Sequence, residues 1–253
     1  MNSESLIEAV ALSRFFGAHC AVEKINLQLG RGEVLGLLGP NGAGKSTTMQ
    51  MLTGNLAPGS GEIKVNGIDL LDEPRKAKCH IGYLPEQPPV YRDMSVNEYL
   101  RYCARLHSLE WREAITAADE AKERCNLQEV QHRLIGNLSK GFQQRVGIAQ
   151  AILHKPAVII LDEPTVGLDP IQIREIRALI RELGEEHGII LSTHILPEVQ
   201  AVCDRVQILN RGRTVFNDKL GAVESLENIF FELVYQDDPA VVVSVAAEPE
   251  VSV

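Results

Sequence analysis

The stretch Gly39-Pro-Asn-Gly-Ala-Gly-Lys-Ser-Thr47 decides how the rest of the sequence is interpreted. It matches the pattern G-x-x-x-x-G-K-[ST], whose glycines let successive backbone N–H groups point at phosphate oxygens. The apolar run 33–38 before it predicts a strand, and a helix is expected to start where the loop ends, with its positive dipole end facing the anion. The stretch therefore predicts a nucleotide site in which Lys45 reaches the β- and γ-phosphates and Ser46 binds Mg²⁺.

A second apolar run, Val158-Ile-Ile-Leu-Asp162-Glu163, ends in two carboxylates. Its four apolar residues predict a buried strand, so the carboxylates emerge at the carboxyl end, where ligands bind in open α/β sheets. By itself an Asp-Glu pair after a strand is more often part of a solvated loop. The phosphate loop upstream favours a catalytic interpretation, in which Asp162 holds Mg²⁺ and Glu163 polarises the attacking water as general base.

Extended and helical patterns alternate along the chain. The first sixty or so residues predict strands, including 22–29 and 62–67, the latter closed by a tight turn at Asn66-Gly67. In the last third, the buried-strand patterns 157–161 and 188–193 flank an amphipathic helix pattern around 176–183. This alternation predicts an α/β fold with a mostly parallel sheet.

The middle third has helical periodicity. Ser95 followed by Glu98 is a capping-box signature for a helix start, and a second helix is expected around 114–125. We expect a small helical subdomain, about 90–137, inserted into the α/β unit. From 235 to 253 the periodicity is lost, and we expect a flexible tail or an added edge strand.

Composition narrows the class of protein. The chain has 253 residues, 45% of them hydrophobic, and a formal net charge of −9, so nucleic acid is not an expected partner. No apolar run approaches the roughly 20 residues of a membrane span, and 1–8 carries no secretory signal, so any membrane role is expected to be peripheral. The five cysteines include no CxxC pair, which favours free thiols in a reducing cytosol.

The segment Leu138-Ser-Lys-Gly-Phe-Gln-Gln-Arg145 separates this chain from other proteins with a phosphate loop. It resembles the LSGGQ signature of ABC ATPases, although Lys140 and Phe142 replace the usual second Gly and Gln. The resemblance implies that Ser139 and Gly141 bind a γ-phosphate. Read alone, Ser139 would simply be the cap of a helix.

Further motifs follow in the order of the ABC ATPase family and cover about 5–234. The family resemblance implies that Asp169 lies in the D-loop and that His194 senses the γ-phosphate. It also implies that Phe16 stacks on adenine, although a core phenylalanine is a competing interpretation of Phe16. The nucleotide ligands expected from the phosphate loop are Asn41, Gly42, Gly44, Lys45, Ser46 and Thr47, with Lys45, Glu163 and His194 as the catalytic group.

The segment Ile81-Gly-Tyr-Leu-Pro-Glu-Gln-Pro88 resembles the family's Q-loop, which joins the core to the helical subdomain. The family glutamine is expected at a position that Glu86 occupies, and Gln87 comes one residue later. Either Glu86 takes the role and adds a carboxylate near Mg²⁺, or the loop shifts by one residue so that Gln87 does.

The resemblance implies a P-loop NTPase core with an N-terminal antiparallel β subdomain and the inserted helices. It further implies an ATPase subunit that dimerises around two ATP and serves a separate membrane permease, at the cytoplasmic face of the membrane. Within the family, the stretches 86–91 and 226–233 resemble ATPases of multidrug and gliding-motility type export permeases. The alternatives are a soluble ABC ATPase without a transport role, as in iron-sulfur assembly, and a phosphate-loop kinase, for which the segment 138–145 would have no use.

Overall fold

The computed structural model describes residues 5–235, which form two sheets and the helices packed on them. The strands are β1 Ser5–Phe16, β2 His19–Gly30, β3 Val34–Leu38, β4 Ser60–Val65, β5 Ile68–Asp69, β6 Ile81–Leu84, β7 Val158–Asp162, β8 Gly188–Thr193, β9 Arg205–Asn210 and β10 Arg213–Lys219. The helices are α1 Lys45–Leu52, α2 Pro74–Lys78, α3 Val96–Leu106, α4 Trp111–Arg124, α5 Lys140–Ile152, α6 Pro170–Glu186, α7 Leu196–Val202 and α8 Leu226–Tyr235. Apart from residue 235, the tail expected over 235–253 lies outside the described residues.

The first sheet is antiparallel, in the order β2-β1-β4-β5. The turn between β4 and β5 consists of Asn66 and Gly67, whose φ angles of 51° and 76° suit a two-residue hairpin. The predicted strand and turn over 62–67 are therefore confirmed. Phe16 ends a strand longer than the sequence indicated, because β1 reaches back to Ser5.

The second sheet has the order β10-β9-β3-β8-β7-β6, and its strands are parallel except for the edge strand β10. Alternate residues of β3 and β7 enter two separate apolar cores, one under the helices α3 to α8 and one under the antiparallel sheet and α1. Burial on both faces explains why these strands are continuously apolar in sequence. The predicted α/β class with a mostly parallel sheet and an antiparallel N-terminal sheet is confirmed.

The order of the parallel strands determines which loops meet. The carboxyl ends of β3, β8, β7 and β6 lie side by side, because Leu38 pairs with Thr193, Asp162 with Ser192 and Leu84 with Leu161. The phosphate loop, His194, the acidic pair and the segment around Glu86 consequently converge at one edge of the sheet.

Between β6 and β7 lie α3, α4 and α5. Ser95 and Glu98 form the predicted capping box of α3, and the apolar faces of α3 and α4 pack into the core under the helices. That the segment 90–137 is a distinct subdomain stays a prediction.

Candidate nucleotide site

The phosphate loop runs from the end of β3 to the start of α1. Gly42 and Gly44 have φ angles of 79° and 101°, a left-handed backbone that favours glycine. A side chain on Gly44 would also approach the backbone oxygen of Ala21 to 2.6 Å. Both glycines therefore suit the turn, and Gly44 is also required for the close contact with β2.

Lys45 is the first residue of α1, and its side chain is buried. Its ammonium donates to the backbone oxygens of Gly39 at 2.8 Å and of Pro40 at 3.2 Å. It also lies 3.5 Å from Oε1 of Glu163. The loop is thus wrapped around a single positive charge that faces the acidic pair.

A cavity of about 450 Å³ opens beside this loop. Its lining combines segments far apart in sequence, from β1 to the end of β8. The residues predicted for the nucleotide site that line it are Phe16, Asn41, Gly42, Gly44, Lys45, Ser46, Thr47, Glu86, Glu163 and His194. The structure therefore brings ten of the predicted site residues to one cavity.

Glu163 follows β7 and is buried in a left-handed conformation, with φ of 48°. Its backbone N–H donates to the carbonyl oxygen and to the hydroxyl of Ser192, each at 3.1 Å. Its carboxylate pairs with Lys45 through Oε1 and with Nδ1 of His194 at 2.9 Å through Oε2. Glu163, the predicted general base, is consequently held between the ammonium of Lys45 and the imidazole of His194.

Asp162 lies at the end of β7 with its carboxylate buried. It accepts hydrogen bonds from the hydroxyls of Ser192 and Ser46. Burial raises the pKa of Asp162, the nearby charge of Glu163 adds to this, and the two hydroxyl hydrogen bonds and Lys45 oppose it. No cluster of three or more His, Cys, Asp or Glu side chains suited to a metal occurs among residues 5–235. A pair of hard oxygen groups such as Ser46 and Asp162 still fits Mg²⁺, which takes one or two carboxylates plus phosphate oxygens.

Glu86 and Gln87 are both exposed after β6, but they do not occupy equivalent positions. Glu86 lines the cavity, whereas Gln87 is not among the described residues that line it. Of the two alternatives left open by the sequence, the geometry therefore favours Glu86. Its role as a Mg²⁺ ligand stays a prediction.

Phe16 stands at the end of β1, and 49% of its side chain is exposed. The guanidinium carbon of Arg14 lies 5.1 Å from the centroid of its ring. Half exposure excludes the competing interpretation of a core phenylalanine. An exposed ring at the mouth of a nucleotide-sized cavity is suited to stacking on a base.

Ser139, Gly141 and Asp169 do not line this cavity in the described part of the chain. Ser139 caps α5 by accepting from the N–H of Phe142, at 3.4 Å, and Asp169 caps α6. A side chain on Gly141 would lie 2.5 Å from Gln172 of α6, so the two helices start next to each other. These three predicted ligands therefore lie together outside the cavity, with Ser139 and Asp169 exposed and Gly141 buried against α6.

Comparison with known proteins agrees with this geometry. Residues 22–166 match the family model described as "ABC transporter". The chain belongs to the ABC transporter ATP-binding family. No helix within 5–235 has the length and apolar character needed to cross a membrane.

Similar ABC proteins extend over most of this chain. One is the uncharacterized ABC transporter ATP-binding protein YxlF of Bacillus subtilis, 39% identical over 89% of this chain and 75% of its own. Another is the bacitracin transport ATP-binding protein BcrA of Bacillus licheniformis, 38% identical over 83% of this chain and 68% of its own. A solved structure titled "Structure of ATP binding subunit of ABC transporter" superposes with a TM-score of 0.81 at 33% identity, over 90% of this chain and 99% of that one.

The sequence motifs did not predict several residues of the site in this ABC protein. His19, Ala21 and Val166 line the cavity, and the first two come from β2, which has no nucleotide motif to mark it. Ser192 links Asp162 to the backbone of Glu163. A polar pair, Ser192-Thr193, at the end of an apolar strand and next to His194, is a signal that could have identified it.

Proposed function

We propose that this chain is the ATP-hydrolysing subunit of an ABC transporter. In this proposal it dimerises around two ATP molecules and drives export of a substrate through a separate membrane permease. The observation that carries the proposal is the contact of Glu163 with both Lys45 and His194 at the wall of the phosphate-loop cavity.

In this proposal, different residues at the site bind ATP, activate the attacking water and hold Mg²⁺. The loop N–H groups, the start of α1 and Lys45 bind the phosphates of ATP, and Phe16 stacks on adenine. Glu163 accepts a proton from the attacking water, and His194 orients that carboxylate. Ser46 and Asp162, with Glu86 as a third candidate, would hold Mg²⁺, which neutralises charge on the phosphates when it is bound.

A second copy of the chain completes each site. Ser139 and Gly141 lie outside the cavity of their own chain, next to the exposed start of α6 where Asp169 stands. In a head-to-tail dimer these residues face the γ-phosphate held by the partner's loop. Two ATP molecules then bridge the two chains, so binding closes the dimer and hydrolysis removes the bridge.

The names of similar proteins support the transport role. BcrA is named a bacitracin transport ATP-binding protein, and YxlF is named an ABC transporter ATP-binding protein. We infer that this chain sits at the cytoplasmic face of a membrane and docks on a multi-span permease. Export as the direction rests on the resemblance to multidrug-type ATPases alone. A soluble ABC ATPase of the iron-sulfur assembly type is the second candidate.

Affinity purification of the tagged chain from detergent-solubilised membranes tests the transport role. Mass spectrometry is expected to find a multi-span membrane protein in stoichiometric amount. The same preparation is assayed for phosphate release from ATP. A chain that stays in the soluble fraction with only soluble partners would overturn the transport role, and a preparation without ATP hydrolysis would overturn the enzymatic one.

A further inference from the structure

Glu198 is a buried carboxylate that the roles assigned above leave unused. It lies in α7, and its relative exposure is 1%. We propose that Glu198 is a positioning residue, which holds together the two loops that carry Glu163 and His194. The inference rests on the proposed ATPase activity of the chain.

The contacts of Glu198 join two segments of the chain. Its Oε1 accepts from the hydroxyl of Thr165, in the loop after β7. Its Oε2 accepts from the hydroxyl of Thr193, the last residue of β8, at 2.6 Å. The Thr193 hydroxyl in turn accepts from the N–H of Ile195, at 3.0 Å. One carboxylate thus spans the gap between the two loops.

These threonines flank the catalytic pair. Thr165 comes two residues after Glu163, and Thr193 comes directly before His194. The contact of 2.9 Å between Glu163 and His194 is one connection between the loops, and Glu198 supplies another. Rotating either loop about the other would therefore break the bonds to Glu198 as well as those that Ser192 makes with Asp162 and Glu163.

The backbone conformation at Glu163 explains why the additional connection through Glu198 matters. A left-handed conformation at a residue other than glycine is strained and persists only where the surroundings impose it. Ser192 holds the N–H of Glu163, and the N–H of Val166 donates to its carbonyl at 3.3 Å. Thr165 lies within this turn, so its bond to Glu198 fixes the turn from outside.

Stability alone is a weak reason for a carboxylate at this position. Burial raises the pKa of Glu198, while the hydrogen bond from Thr193 and the charge of Arg177 oppose the rise. Burying a carboxylate is unfavourable, and buried ionic groups can often be replaced by well-packed apolar residues of similar volume without loss of stability. A role in holding catalytic groups accounts for the residue, because displacing such groups by about 1 Å can reduce a rate on the order of 100-fold.

The test compares Glu198→Ala, Glu198→Gln and Thr165→Val in the full chain, with any membrane partner that purifies with it. The control is Glu185→Ala, which removes an exposed carboxylate near the end of α6. Steady-state phosphate release gives kcat and KM, equilibrium titration with ATP gives the number of binding-competent sites, and thermal melting reports folding. The rate is expressed per binding-competent site.

We expect Glu198→Ala to lower kcat per competent site roughly 10- to 100-fold, with ATP affinity unchanged. Glu198→Gln should retain most of the rate, because an amide can accept from one hydroxyl and donate to the other. Thr165→Val should lower kcat with little change in melting temperature. The double variant Glu198→Ala/Thr165→Val should be no slower than Glu198→Ala, because both changes break the same connection.

Equal kcat per competent site in Glu198→Ala and Glu185→Ala would overturn the positioning role, whatever the melting temperatures are. If Glu198→Ala does not fold, a folded Thr165→Val with full kcat overturns it instead. Absence of hydrolysis by the unmodified chain would overturn the proposed function, and the positioning role with it. The two failures are therefore distinguishable.

Discussion

At the scale of single residues, the site depends on one chain of contacts from Lys45 through Glu163 to His194. The ammonium and the carboxylate are both buried, so each would be unfavourable without the other. His194 lies at the open side of the same cavity. A change from Glu163 to the amide of the same shape therefore removes the charge partner of Lys45 and the proton acceptor, and keeps the volume of the side chain.

Replacing Glu163 by Gln is expected to lower kcat about 10²- to 10⁴-fold, the usual contribution of a general base. ATP binding should persist, because the phosphate loop and Lys45 are unchanged, and the ATP-bound dimer should accumulate. Phosphate release and light scattering on a size-exclusion column measure the two effects. Glu185→Gln is the matched control, and full turnover in Glu163→Gln would contradict the assignment of the base.

The sequence predicts those site residues whose roles lie within a short motif, such as Lys45 and Asp162. Glu198 is absent from the prediction because its partner Thr165 is 33 residues away and a threonine hydroxyl leaves no periodic pattern. The choice between Glu86 and Gln87 likewise requires the path of the backbone after β6, which no local pattern supplies.

At the scale of secondary structure, prediction succeeds where burial is regular. The strands β3, β7 and β8 are buried at every position and appear in sequence as apolar runs, with polar residues only at the carboxyl ends of β7 and β8. β1 is obscured by register shifts between Ala9 and Leu12, with Ala11 at a φ of 50°, which break the alternation of period two. β10 is an edge strand with little burial, so it has no hydrophobic pattern to detect.

The packing of β6 against α5 allows a sharp test. A side chain on Gly82 would lie 2.1 Å from the backbone oxygen of Ala151, and neither backbone can move without disturbing the core. Gly82→Ala is expected to destabilise the fold by about 1–3 kcal/mol. Gly221→Ala, which meets no atom within 4 Å, is the control. Urea unfolding measures both, and equal midpoints would contradict the tight packing.

The junction of α3, α5 and β6 contains two stacked imidazoles, His107 and His154, with ring centroids 3.8 Å apart. Nε2 of His154 donates to the carbonyl of Ile81 at 3.1 Å. The pKa of His154 is lowered to about 4, chiefly by burial and also by the charges of His107 and His80, while the bond to Ile81 opposes the shift. Burial also lowers the pKa of His107.

These pKa values predict destabilisation by acid. Between about pH 6.5 and 4 the unfolded chain binds a proton at His154 that the folded chain does not, so stability is present above this window and is lost as the pH falls through it. His154→Gln should reduce the loss between pH 7 and pH 5 by on the order of 1 kcal/mol. Chemical denaturation at both pH values measures it. The control is His132→Gln, which changes an exposed histidine and should lose as much free energy of unfolding as the unmodified chain. An unchanged loss in His154→Gln would refute the prediction.

At the scale of the whole molecule, the central question is whether one chain or two build each ATP site. The parallel sheet brings the phosphate loop, the acidic pair and His194 together, but Ser139 caps a helix whose start lies elsewhere on the surface. The sequence alone predicts the α/β fold, since its patterns are local. It indicates the dimer only through resemblance, because no periodicity encodes the position of a second copy.

Mixing two inactive variants separates the two arrangements. Lys45→Ala should lose nucleotide binding, and Ser139→Asp should keep the helix cap while placing a carboxylate against the γ-phosphate. In a head-to-tail heterodimer one site carries both changes and the other carries neither. An equal mixture should then recover about a quarter of the unmodified activity if the sites act independently. If each site were built within a single chain, the mixture would recover no activity. ATP hydrolysis by each variant alone is the control.

The central position of β3 also has a consequence during synthesis on the ribosome. Both neighbours of β3, the strands β8 and β9, come late in the chain. Glu33, which precedes β3, bonds to Arg205, and Arg205 is synthesised 172 residues later. At 5–20 residues per second this delay lasts roughly 10 to 35 s. During that time an apolar strand and the nascent phosphate loop lack their final partners. We expect newly made chains to depend on chaperones in this interval, and slow codons between β3 and β8 to lower the yield of folded protein.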